Sequence, residues 1–384
     1  MMISPAIFLD ELKTNKINYF VGVPDSLMKG LNYEISNSCS LDEHLIASNE
    51  GSAVAYAIGH FAATEKLAAV YMQNSGLGNA YNPLISLADP AIYSVPMILL
   101  IGWRGEIADD GVQLKDEPQH IKQGQITLRT LETMGIPFEV IHGGSSNWKQ
   151  KIRILIARAK SEQRPVAVIF RKNTFASVSL ESSEMDHSLA LGREDAIEHI
   201  VDNSQPNDIF VASTGMIGRE LFEIRKRREQ THATDFLTVG GMGHASQIAC
   251  SIASAFPERR IICLDGDGAL LMHTGGMVEC ARQSNLMHIV LNNGAHDSVG
   301  GQPTAAFKIN LQKIAEGFGY SNIMKATNTL DINNGFERRS VGSWFLEICC
   351  KRGNRNDLGR PDKVPKQNLT EFIQFLKGFK NDKS

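Results

Sequence analysis

The chain has 384 residues, and its 39 Lys and Arg against 42 Asp and Glu give a net charge of −3 with His neutral. At about 100–200 residues per domain this length suggests two domains, with three as the alternative, and the near-neutral balance argues against attachment to nucleic acid through bulk charge. Hydrophobic residues make up 42% and charged residues 21%, a globular mix with no run long and apolar enough to suggest a membrane span.

Met1 to Asn15 meets Asp10 and Glu11 early and has no basic stretch before an apolar core, so no secretory signal is expected. Short apolar runs then read as buried strands at Tyr19–Val23, Ala68–Met72, Met97–Ile101, Phe138–Ile141 and Val166–Phe170. Amphipathic helices are expected over Glu50–Thr64 and Trp148–Ser161. A Ser- and Glu-rich stretch follows, and a linker is expected over 176–192. The pattern restarts with strands expected at Asp208–Ala212, Phe236–Val239, Arg260–Leu264, His288–Asn292 and Trp344–Cys349. Alternating strands and helices predict an α/β fold with two parallel-sheet domains, 1–175 and 193–384. Residues 328–340 carry no assigned role. The six cysteines form no CxxC pair, so neither a disulfide framework nor a zinc site is expected, and a reduced, cytoplasmic compartment is the default.

The strongest chemical signal lies in the second half. The run Arg260–Leu264 leads into Asp265-Gly266-Asp267-Gly268, and His288–Leu291 leads into Asn292-Asn293-Gly294. In a parallel sheet both strand ends open on one edge, where ligands bind. Asp267 and Asn293 then face one point with hard oxygen donors suited to Mg²⁺. The bland alternative is two turns, since Gly, Asp and Asn are common there. Ser213-Thr214-Gly215 and Gly240-Gly241-Met242-Gly243-His244 also follow expected strands. The first could offer backbone N–H groups to phosphate at a helix start. Met242 taken alone could equally be core filler.

The GDG and NN pair resembles the binding motif of thiamine diphosphate enzymes, which have an α/β pyrimidine-binding domain and an α/β diphosphate-binding domain. The resemblance assigns these roles to 1–175 and 193–384. It implies that Asp267, Asn293 and the main-chain carbonyl of Ala295 hold Mg²⁺. Thr214, Gly215, Gly241, Gly266 and Gly268 would lie along thiamine diphosphate, and Met242 would wedge it into a bent shape. Glu50, in Ala47-Ser-Asn-Glu-Gly51, would bond the pyrimidine ring and promote loss of the proton at C2. Read as a residue alone, Glu50 could simply favour a helix N-terminus.

The chain has room for two domains, whereas most 2-oxo acid decarboxylases of this kind carry a third between them. Strings from Gly22-Val-Pro-Asp-Ser-Leu27 to Gly353-Asn-Arg-Asn-Asp-Leu-Gly-Arg-Pro361 resemble the two-domain branch of phosphonopyruvate and sulfopyruvate decarboxylases. Phosphonopyruvate decarboxylases are the better match, through Asn292-Asn-Gly-Ala-His-Asp-Ser-Val-Gly-Gly-Gln-Pro-Thr304. The implied reaction turns 3-phosphonopyruvate into phosphonoacetaldehyde and CO₂, in a dimer or higher homo-oligomer with sites at subunit interfaces. Asp25 and His120 look like a polar pair for proton transfer. Arg104 is expected at the phosphonate, though a structural salt bridge is the alternative. Ser26, Gln73, Asn74, Ser75 and His296 complete the expected substrate set. A sulfopyruvate decarboxylase, or another short 2-oxo acid decarboxylase, is the competing enzyme reading. A non-catalytic regulatory or nucleotide-binding protein with a doubly wound fold is the competitor from another class. No GxGxxG follows the first strand, which argues against a dinucleotide dehydrogenase.

Overall fold

A computed structural model describes residues 2–177, 189–337 and 341–381. The chain divides into two compact units, Met1–Glu181 and Ser182–Ser384. Of the stretch expected as a linker, residues 178–188 lie outside the described residues. Its flanks are tied to their own units. The Ala176 N–H donates to the Ile3 carbonyl at 2.9 Å, and the Lys351 N–H donates to the Leu191 carbonyl at 2.9 Å.

The first unit holds β1 (Tyr19–Gly22), β2 (His44–Ile46), β3 (Ala68–Gln73), β4 (Met97–Gly102), β5 (Phe138–Ile141) and β6 (Pro165–Phe170). They form one parallel sheet in the order β2-β1-β3-β4-β6-β5. The second unit holds β7 (Ile209–Ala212), β8 (Asp235–Leu237), β9 (Ile261–Gly266), β10 (Leu286–Asn292), β11 (Asn322–Ala326) and β12 (Trp344–Cys349). Its sheet, also parallel, runs β11-β12-β10-β9-β7-β8. Counted from first to sixth within each unit and read from the β2 or β8 edge, the two orders are the same, 2-1-3-4-6-5.

Burial on both faces explains the unbroken apolar runs. In β4 every residue is buried. Its Ile98 and Leu100 pack with Phe8 and Ile152, while Leu99 and Ile101 pack with Val54 and Leu84 on the opposite face. In β10, Ile289 and Leu291 join Ile197 and Leu221, whereas Val290 joins Ala249 and Leu311. Each such side chain contributes about 1.5–3 kcal/mol by leaving water.

Two strands, β2 and β11, are not anticipated from the sequence. Both sit at sheet edges, and their residues are mostly half-buried, with Lys325 of β11 exposed. Neither offers a continuous apolar run. β9 extends two residues beyond its expected end, so Asp265 and Gly266 are strand residues and Asp267 opens the helix Asp267–Met272. Within 328–340, a helix spans Thr329–Glu337, and residues 338–340 lie outside the described residues.

Because all strands of a sheet are parallel, their C-terminal ends share one edge. Strand order reverses beside the first strand of each unit, between β1 and β3 and between β7 and β9. Ligands of open α/β sheets bind at such a reversal.

Candidate active site

In the second unit, the loops after β7, β8, β9 and β10 enclose a cavity of about 80 Å³. Its walls include Ser213, Thr214, Met242, Gly266, Asp267, Gly268, Asn293, Ala295 and His296. Asp267 is buried and accepts a hydrogen bond from the Thr304 hydroxyl. Burial pushes its carboxyl up to about 6. Asn293 follows β10 directly. Its Oδ1 accepts the Ala295 N–H at 3.1 Å, and its Nδ2 donates to Asp297 Oδ2 at 2.6 Å. Asp267, Asn293 and Ala295 are thus brought together.

The glycines have steric reasons to be there. A Cβ on Gly268 would lie 2.8 Å from the His296 ring and 3.3 Å from the Met242 methyl group. Gly215 has φ +91°, outside the range L side chains favour, and precedes the helix Met216–Arg227. Thr214 Oγ1 donates to the Val239 carbonyl at 3.0 Å, which joins the loops after β7 and β8. Gly241 lies in the β8 loop with φ +66°. His296 is an expected substrate residue that lies in this second-unit cavity, where burial lowers its imidazole to about 4.

Asp265 takes a separate path. Its Oδ1 accepts the Gly266 N–H at 3.0 Å, and its Oδ2 lies 3.4 Å from His288 Nε2. His288 Nδ1 meets the Tyr320 hydroxyl at 2.8 Å. Cys263 brings its sulfur within 4.8 Å of the Asp265 and His288 ligand atoms, an arrangement that CxxC counting misses. With both imidazole nitrogens engaged, the three polar groups form a buried hydrogen-bonded chain. All six cysteines are free thiols.

In the first unit, Glu50 opens the helix Glu50–Thr64, whose N-terminus is capped by Asn49 accepting the Ser52 N–H at 2.8 Å. Asn79 Nδ2 donates to Glu50 Oε2 at 2.7 Å. Gly76 lies against the same carboxyl, since a Cβ there would fall 2.6 Å from Oε1.

Asp25 follows β1 and lies over Gly102 at the end of β4, where a Cβ would collide with its Oδ2. The Leu27 N–H donates to Asp25 Oδ2 at 3.1 Å, while Oδ1 is buried without a hydrogen-bond partner. Burial pushes this carboxyl up to about 6 despite the nearby Arg104. Arg104 gives Nε and Nη2 to Asp116, at 2.8 and 2.5 Å, and Nη1 to the Ser26 hydroxyl at 3.2 Å. The two-pronged face expected for a phosphonate is therefore engaged by a carboxylate. Arg104 holds the Asp116 carboxyl well below the usual range, together with backbone N–H groups that outweigh its burial.

His120 lies in the first turn of the helix Pro118–Thr133, with its carbonyl packed against Gly105. The Gly105 N–H donates to Asp116, so the segment 116–120 wraps onto the end of β4. Asn74 turns inward. It donates to the Arg104 carbonyl and to Thr127 Oγ1, both at 2.9 Å, and accepts the Arg104 N–H at 3.2 Å. Its amide ties the β3 and β4 loops together. Gln73 Nε2 donates to Ser75 Oγ at 2.7 Å. Asn79, Asp116, Thr127, Asp297 and Thr304 are partners that residue-by-residue reading leaves out. Asp297 and Thr304 lie inside the string Asn292 to Thr304 already singled out, so a signal for those two was available.

The description "Thiamine pyrophosphate enzyme, N-terminal TPP binding domain" matches residues 5–127, and the corresponding C-terminal TPP binding domain matches residues 213–340. The sulfopyruvate decarboxylase subunit beta of Methanothermobacter thermautotrophicus is 32% identical over 196 residues, 50% of this chain and 100% of that subunit. The chain belongs to the thiamine pyrophosphate enzyme family. A phosphonopyruvate decarboxylase of Streptomyces viridochromogenes is 28% identical over 394 residues, covering 98% of this chain and 95% of that protein. The sulfopyruvate decarboxylase of Methanosarcina acetivorans is 27% identical, covering 79% of this chain and 81% of that protein. As a thiamine pyrophosphate enzyme the chain is thus related to decarboxylases of both kinds.

The residues present suit the cofactor of this family. One buried carboxylate, one amide oxygen and one main-chain carbonyl form a hard-oxygen set of the kind Mg²⁺ takes together with phosphate. Gly266 and Gly268 leave that cavity open where a side chain would narrow it. Among the described residues, no helix is long and apolar enough to cross a membrane.

Proposed function

We propose that this enzyme decarboxylates 3-phosphonopyruvate to phosphonoacetaldehyde and CO₂, using thiamine diphosphate and Mg²⁺, as a step of phosphonate biosynthesis in the cytoplasm. The supporting observation is similarity to phosphonopyruvate decarboxylases along nearly the whole of both chains. Asp267, Asn293 and the Ala295 carbonyl hold the metal. Gly215, Gly241, Gly266 and Gly268 line the diphosphate, with Thr214 fixing the loop and Met242 against the rings. Glu50 bonds the pyrimidine, kept in place by Asn79. The bound cofactor supplies an electron sink for the carboxylate's departure.

The chain's own residues supply binding and protons. Loss of CO₂ leaves an electron pair on carbon, and one proton must reach it. Asp25, with a carboxyl at about 6, carries a proton in a useful range, and His120 is its proposed partner. Asp116 fixes the plane of Arg104, leaving Nη1 and the Ser26 hydroxyl to meet the phosphonate. Gln73, Ser75 and His296 are the further substrate contacts, and Asn74 acts by holding the loops. Units 1–175 and 193–384 serve as pyrimidine-binding and diphosphate-binding domains in a homodimer or larger homo-oligomer. Light scattering of the purified protein checks the assembly, and a monomer that is fully active would refute that part.

Sulfopyruvate is the alternative substrate, favoured by the 32% identity to the Methanothermobacter subunit. Comparing kcat/KM for phosphonopyruvate, sulfopyruvate and pyruvate decides between them. A higher value on sulfopyruvate would overturn the proposal.

A further inference from the structure

We propose that Arg193 and Asp297 are positioning residues that lock the Asn293 amide with its carbonyl end free for Mg²⁺. The inference rests on the metal reading of Asp267 and Asn293 above.

An Asn side chain has two similar ends, and only its oxygen ligates a hard cation. Something must therefore decide which end points where. Asp297 does so here, because a carboxylate accepts and cannot donate. Its Oδ2 takes the Asn293 Nδ2 donor at 2.6 Å, which sends Oδ1 the other way. Asn293 Oδ1 accepts one backbone N–H, from Ala295, and a carbonyl oxygen has a second lone pair.

Asp297 is itself held. The same Oδ2 accepts Arg193 Nη1 at 2.9 Å and the Gly353 N–H at 2.9 Å. Arg193 is 5% exposed and forks onto Glu220, with Nε and Nη2 both at 2.8 Å. Arg193 is the first residue of the helix Arg193–Asn203, and Glu220 lies on the helix Met216–Arg227. The chain of contacts thus anchors the loop after β10 to two helices of the core. A buried carboxylate without its guanidinium is strongly unfavourable, so the set stays closed. Partners of this kind, one bond behind a metal ligand, typically change metal affinity by about 10–100-fold.

The test is a Mg²⁺ titration of the full chain at saturating thiamine diphosphate, followed by tryptophan fluorescence, with thermal unfolding of the metal-free protein alongside. Asp297→Ala removes the acceptor that takes Asn293 Nδ2 and should raise the Mg²⁺ midpoint at least about tenfold. Arg193→Lys keeps the charge but loses the fork and should raise it less, which keeps the idea testable should Asp297→Ala fail to fold. Arg225→Met removes a different buried pair, with Asp235 at the start of β8. It should lower the unfolding temperature and leave the Mg²⁺ midpoint in place. If Arg225→Met moves the midpoint as far as Asp297→Ala does, the effect is general destabilisation and the positioning role is refuted. An unchanged midpoint in Asp297→Ala, while Asp267→Asn loses Mg²⁺ dependence, refutes the positioning role and spares the metal site. Wild-type binding of thiamine diphosphate that ignores Mg²⁺ overturns the metal reading and this inference with it.

Discussion

The two units share one strand order but differ at the edge that carries their polar residues. The first gathers carboxyl groups, with Asp25 and Asp116 around Arg104 and Glu50 against Gly76. The second gathers glycines and the Asn293 amide around Asp267. The frame supplies a reversal of strand order in both cases, and the short segments after the strands decide the chemistry there. A carboxylate-rich edge suits proton transfer and pairing with a ring, whereas a glycine-lined edge admits an anion and its metal.

Substitution at each edge can break or sharpen this contrast. The largest effect belongs to Asp267→Ala, which should abolish Mg²⁺-dependent binding of thiamine diphosphate and leave no measurable turnover. Near-normal turnover would remove the metal from the second edge. Glu50→Gln should keep cofactor binding by calorimetry yet slow turnover ~10²–10⁴-fold. Fast exchange of the C2 proton of bound cofactor in that variant would remove Glu50 from the chemistry. Arg104→Met should raise KM for phosphonopyruvate ~10-fold or more, as expected for losing a charge-assisted bond of ~1.5–3 kcal/mol. A change confined to kcat would instead make Arg104 a support for Asp25.

The smallest effect concerns stability. The Asp25 carboxyl titrates at about 6 in the folded chain against an ordinary 3.8. The folded state therefore binds this proton more tightly than the unfolded state. Its contribution to stability is fully present below pH 3.8 and is lost as the pH rises through 6. Asp25→Asn should thus raise the unfolding temperature at pH 8, by an amount equivalent to at most ~3 kcal/mol, and have little effect at pH 4. An equal shift at both pH values would show that the benefit does not come from the charge.

Much of this was legible in the sequence because it is local. β4 is an unbroken apolar run, β10 is broken only by His288 before its last residue Asn292, and Asp267 and Asn293 stand within a residue of strand ends. β2 and β11 escaped because half-buried edge strands lack the apolar continuity that marks a core strand. The hold of Asp116 on Arg104 spans only 12 positions, but a bidentate pair and a substrate anchor look alike as bare Arg and Asp. The link from Arg193 to Asp297 crosses 104 positions, and no spacing rule reaches that far.

β9 passes into the helix Asp267–Met272 without an intervening loop. That junction has no slack. Inserting one residue before Asp267 would swing its carboxylate about 100° around the helix axis, because each helical residue turns by that angle. Chain length at this point is therefore as constrained as residue identity, and a designer wishing to retune the enzyme should leave this hinge untouched and vary the flanking segments.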